Sequence, residues 1–123
     1  MSLGSYKLAM QSGQRGYYGE VDLAVEATDR SGEVQVEFSE RCAKDWRAGA
    51  SFGVDYILDQ LPLYKLYPAG ATVRIDRIQG HPVDTNSVVI AYVAAEAMMS
   101  ALGIEARKRP SFDGATGLFT FPK

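Results

Sequence analysis

The stretch Q11-S-G-Q-R-G-Y-Y-G-E-V21 sets Gly13, Gly16 and Gly19, one arginine and two tyrosines between segments that alternate like strands. Before it, Tyr6, Leu8 and Met10 alternate with Lys7, Ala9 and Gln11. After it, Val21, Leu23, Val25 and Ala27 alternate with polar partners such as Asp22 and Glu26. A period of two with one apolar side is the mark of a half-buried strand. The stretch therefore reads as a glycine-rich loop joining two strands.

Outward from this loop, "TDRSGE" (Thr28–Glu33) is turn chemistry, and Val34, Val36 and Phe38 alternate in a third strand, expected to form a hairpin with the second. Trp46, Ala50, Val54, Ile57, Leu58 and Leu61 recur at helical spacing opposite Asp45, Arg47, Asp55 and Asp59, which predicts an amphipathic helix from about Ala43 to Gln60. Pro62 is expected to end it. Tyr67-Pro68-Ala69-Gly70 is a connector to a fourth strand around Val73 and Ile75, which stops at Gly80. "HPVDTNS" (His81–Ser87) leads into a second helix, capped by Thr85 or Asn86 and closed by Gly103. That helix is apolar nearly all round and so must be covered on several sides. Trp46, Met98 and Met99 read as core residues, and Thr116–Phe121 as a closing edge strand.

The order strand, strand, strand, helix, strand, helix defines an α+β two-layer sandwich, a mixed sheet of four or five strands with both helices on one face. The third and fourth strands are joined by a helix and should run parallel. With the second strand antiparallel to them, the loops 11–19 and 80–87 should lie at one end of the sheet, side by side.

The totals fit one domain spanning 1–123, with 110–123 as a C-terminal extension: 46% hydrophobic, 23% charged, net charge −2 and a pI near 5.3. No global positive field exists, so nucleic-acid binding would need a local patch. Cys42 and His81 are the only residues of their kinds and cannot make a structural zinc site; no metal and no cofactor are expected. The first ten residues show no charged segment followed by an apolar run, and the apolar run Val88–Leu102 is interrupted by Glu96 and shorter than the ~20 residues of a bilayer span. A reduced, cytoplasmic protein with no membrane partner is expected.

The paired loops would bring together Gln14, Arg15, Tyr17 and Tyr18 with His81, Asp84, Thr85 and Asn86. Arginine can pair with phosphate, tyrosines can stack on unstacked bases, and glycines allow close backbone approach, a mixture suited to RNA. Glu20 beside the loop would oppose phosphate. Enzymatic readings are poorer: Cys42 reads as buried filler, and His81 with Asp84 as loop orientation rather than an acid–base pair. Arg107-Lys108-Arg109 reads as a solvated cluster at the far end of the second helix.

The first loop resembles the tip of domain IV of translation elongation factor G at Gln11-Ser12-Gly13, Arg15-Gly16, Tyr18-Gly19 and Val21. The second resembles that family's other tip loop at His81, Val83 and Asp84, with Thr85 in place of a serine. The resemblance covers roughly Lys7 to Arg109. It implies the fold of the second domain of a small-subunit ribosomal protein, with a left-handed crossover, and contacts to ribosomal or transfer RNA through Arg15, Tyr18, His81 and Asp84. Gln14 and Tyr17 occupy the variable places between them. The chain departs from the family in lacking the Gly-Gly and proline-rich segment before the first helix, and in Pro82. It has no GxxxxGK[ST] phosphate loop, so a non-enzymatic domain is expected. The alternatives are a protein-interaction module on the same fold, or a piece of a larger divergent translation factor or ribosome-protection protein.

Overall fold

In the computed structural model, residues 1–28, 33–61 and 66–123 are described. The elements are β1 (Ser2–Ser12), β2 (Arg15–Ala27), β3 (Val34–Phe38), α1 (Lys44–Leu58), β4 (Ala71–Gln79), α2 (Ser87–Leu102), β5 (Ser111–Asp113) and β6 (Leu118–Thr120). Most of the turn expected at Thr28–Glu33, and Pro62, lie outside the described residues.

The alternation along β2 puts Tyr17, Gly19, Val21, Leu23 and Val25 on the buried side, where the helices lie. β4 does the same with Ala71, Val73 and Ile75, each 0–1% exposed. Two strands so fully apolar on one side belong in the middle of a sheet. The order is indeed β1-β2-β4-β3, with β2 antiparallel to both neighbours and β3 parallel to β4. This overturns the expected β2–β3 hairpin: β4 lies between them, and β3, short and only half-buried, takes an edge. The hairpin is instead β1–β2, turned by Gly13-Gln14 alone. Gly13 has φ 63°, which the tight primed turns of such hairpins require at their first central position. The glycine-rich stretch is thus mostly strand and very little loop.

Near the middle of β4 the register against β2 shifts, so that Asp22 faces Arg77 and Leu23 faces Ile75. The extra residue, Asp76, makes a bulge. On the outer side of the sheet Arg77 then meets Glu20 at 2.5 Å and Asp22 at 2.8 Å, while Arg74 meets Asp76 at 2.9 Å and Glu26 at 3.4 Å.

Both helices pack on the inner side. α2 is buried from Val89 to Met99 without a break, as its all-round apolar character requires. Its sheet side rests on Gly19 and Gly4, and its second side on α1 at Gly49 and Gly53, where any side chain would strike the backbone of Ser87 or Ala91. The third side is covered by the tail. Residues 111–120 do not extend the main sheet as an edge strand; they form a separate two-stranded hairpin, β5–β6. Phe112 and Phe119 stack at 4.4 Å and contact both Tyr92 of α2 and Tyr17 of β2. The aromatic spacing of the tail decides this outcome, because an outward strand edge could not bury those rings. Burial, and secondarily the hydrogen bond with Tyr6, push the Tyr92 phenol well above its ordinary range.

At the C-terminal end of α2, Gly103 takes the left-handed cap with φ 68°. Arg109 is no free member of a basic cluster: its guanidinium grips the buried Glu96 carboxylate at 2.9 and 3.2 Å and Glu105 at 2.7 Å. A buried carboxylate in the middle of an apolar helix needs such a partner.

Candidate functional site

The two expected loops do converge. β2 starts where β4 ends, with Glu20 opposite Gln79, and α2 starts from the same end of the sheet. The premise that β2 pairs with β3 fails, yet the adjacency follows from β2 pairing directly with β4. The contact is intimate. The Tyr18 N–H donates to the Asp84 carbonyl at 3.0 Å, and the Thr85 hydroxyl donates to the Tyr18 carbonyl at 2.6 Å. Gly16 lies so close to the Asp84 carboxylate that a Cβ there would sit 2.6 Å from its oxygen. Hairpin and loop form one tip.

Within that tip the candidate residues separate by what they already do. Gln14 and Arg15 are exposed, and with Gly16, Val83 and Asp84 they line a surface depression of about 490 Å³. The Arg15 guanidinium lies 5.6 Å over the Tyr17 ring and makes no ion pair among the described residues. Arg74, Arg77 and Arg109 are all neutralised by carboxylates. Arg15 is therefore a cation held in place and still able to take an anion.

His81 is exposed, and its Nδ1 accepts the Val83 N–H at 3.2 Å. In the neutral ring this leaves the proton on Nε2, which is then a donor. Tyr18 is half-buried on the outer side of the sheet, with its hydroxyl on Glu20 at 3.3 Å and the Lys7 ammonium 5.8 Å over its ring. Asp84 is half-buried between the hairpin and the loop.

Three of the expected contact residues are committed to the fold. Tyr17 is only 8% exposed, on the inward phase of β2 beneath Phe112 and Phe119, so its ring is not offered to a base. The Thr85 hydroxyl is filled, donating to Tyr18 and accepting the His81 N–H at 2.6 Å. Asn86 is the cap of α2, its side-chain oxygen taking the Val89 N–H at 2.9 Å. Gly19 serves close packing on Val89, Ile90 and Val93, and not ligand approach. Glu20, expected to oppose phosphate, is paired to Arg77, which reduces its repulsion.

Sequence reasoning missed Val83, 81% exposed beside Arg15 in the depression. Cys42 is 1% exposed, its thiol on the Ile75 carbonyl at 3.2 Å, which fits filler. Among the described residues no cluster of His, Cys, Asp and Glu could hold a metal ion, and no helix is long and apolar enough to cross a membrane.

Neither a protein-family model nor a curated protein sequence matches the chain. Among solved structures it is similar to part of a Thermus thermophilus protein, with a TM-score of 0.65 and 18% identity over 83% of this chain. The match spans only 16% of the Thermus chain. At that identity the likeness shows a shared fold and nothing about chemistry.

Proposed function

We propose that this chain is a non-enzymatic, translation-factor-like domain that contacts ribosomal or transfer RNA through its joint tip, without a GTPase of its own. The observation that carries the reading is the fusion of the two loops. Their hydrogen bonds hold Gln14, Arg15 and His81 as exposed polar groups on one projecting end. These are the positions, or neighbours of the positions, at which the sequence resembles the elongation factor G tip. Arg15 supplies the phosphate contact, the Gln14 amide and the His81 Nε2–H supply neutral hydrogen bonds, and Tyr18 offers the edge of a partly covered ring. A preformed tip saves the ordering entropy that a flexible loop would lose on binding.

The second reading is a protein-interaction module on the same fold. The exposed Val83 at the tip and the net charge of −2 favour it. Filter binding to small ribosomal subunits across a salt series separates the two. RNA contact predicts affinity that falls with salt, and Arg15→Ala should reduce the log–log slope by about 1. Equal recovery of ribosomal RNA by the unaltered protein and an Arg15→Ala, His81→Ala double variant would remove the RNA reading.

A further inference from the structure

Among the described residues, β1 is an eleven-residue strand with a neighbour on one side only. Because the turn at Gly13-Gln14 has two residues, Ser12 and Arg15 form a hydrogen-bonded pair, and the pairing recurs at Met10, Leu8, Tyr6 and Gly4. The N–H and C=O groups of Leu3, Ser5, Lys7, Ala9 and Gln11 therefore point along the open edge. No backbone hydrogen bond from another described segment reaches them. The usual protections of an edge are nearly absent: β1 has no proline, no bulge and a single charge, Lys7, while Leu3 is 71% and Met10 46% exposed. The opposite edge, β3, is only five residues long.

We infer that the open edge of β1 pairs antiparallel with β1 of a second copy of this chain, continuing the sheet through both molecules about a two-fold axis at Leu8. The residues select both the occupant and the register. Centred on Leu8, which is itself already buried, the inward row sets Tyr6 against the half-exposed Met10 on either side of the axis, so apolar meets apolar. The outward row sets Lys7 against Ala9 and Ser5 against Gln11, and no like charges meet. Centring on Lys7 would bring two ammonium groups face to face. Centring on Tyr6 would set Met10 against Ser2 and Leu8 against Gly4, leaving the exposed Met10 without an apolar partner. On the inner side of the edge, a groove of about 320 Å³, lined by Tyr6, Met99 and Ile104 and bordered by the ion-paired Glu96, Glu105 and Arg109, leaves room for the second copy's Met10. Such an isologous contact closes as a dimer and cannot propagate. Its two tips point in opposite directions, about 34 Å apart along the strand axis at 3.4 Å per residue.

Sedimentation equilibrium over a concentration series tests this. The unaltered protein should show a monomer–dimer equilibrium above its 13.4 kDa monomer mass. Ala9→Glu sets a carboxylate opposite the second copy's Lys7 twice per dimer, and should tighten the dimer roughly five-fold; Ala9→Lys should loosen it by a similar factor. Ala9→Pro removes an edge-facing N–H without touching the β1–β2 ladder, and should abolish the dimer while leaving the circular dichroism spectrum unchanged. A protein that stays monomeric at the highest soluble concentration overturns the inference. So does a dimer that responds equally to the two charge variants.

Discussion

Replacing Gly53 by alanine opposes two effects whose balance the structure decides. In a helix interior alanine is better than glycine by about 1 kcal/mol, so propensity alone predicts stabilisation of α1. Gly53, however, is buried where α1 crosses α2, and a Cβ built there would overlap the Ala91 carbonyl oxygen and stand 2.9 Å from the carbonyl carbon. The obstacle is backbone of a fully packed helix, which cannot rotate aside as a side chain could. Relief requires moving α1 away from α2, and overpacking of this kind costs about 1–3 kcal/mol, here toward the upper end. The net expectation is a loss of about 1–2 kcal/mol, or a fall in Tm of roughly 3–10 °C for a domain of this size. Urea titration would read it as a lower midpoint at constant slope. Ala48→Gly, at an exposed position of the same helix, should lose about 1 kcal/mol through propensity alone. A Gly53→Ala protein as stable as the original, or more so, would refute the argument that the two helix backbones meet at this point.

The two adjacent tyrosines of the tip should behave in opposite ways. Tyr17→Ala removes a ring enclosed by Phe112 and Phe119 and should cost about 3–5 kcal/mol, whereas Tyr18→Ala should cost less than about 1.5 kcal/mol and weaken RNA retention instead; paired urea titrations and filter binding would show it. In the last turn of α1, Asp55 lies one turn before Asp59, and burial first, then the Asp59 charge, raise the Asp55 pKa. A carboxyl with a raised folded-state pKa binds more protons folded than unfolded, so its penalty is present at neutral pH and fades as pH falls through the raised value. Asp59→Lys should therefore stabilise the protein by about 0.5–1 kcal/mol at pH 7, through an attractive i,i+4 pair and a cation at the helix end, with the gain shrinking toward pH 3. A gain that stayed constant across that range would contradict this cause.

The element types were legible because each carries its own period: two along β2 and β4, and helical along α1. The neighbours were not. β3 and β2 are adjacent in sequence and turn-linked, and nothing local says that β4 will come between them. Only the complete burial of the inner faces of both β2 and β4 decides it. The tail shows the same limit, since its alternation suits any strand, but Phe112, Phe119 and Phe121 can be buried only by folding back over α2 and α1. At the tip, the convergence of the loops followed from strand direction, so Arg15 and His81 were placed correctly. The burial of Tyr17 is not legible while the stretch reads as loop, because its phase in β2 is then hidden, and the engagement of Thr85 is not legible because its bond to the Tyr18 carbonyl crosses between segments far apart in sequence.

The short turn at Gly13-Gln14 and the Tyr18 bonds to Asp84 and Thr85 also set the mechanical character of the projecting end. With almost no slack chain at its apex, and with a brace to the base of α2, the end behaves as a stiff prong. A push along β2 is shared in shear by the rungs of β1 and β4 and carried straight into the helix layer.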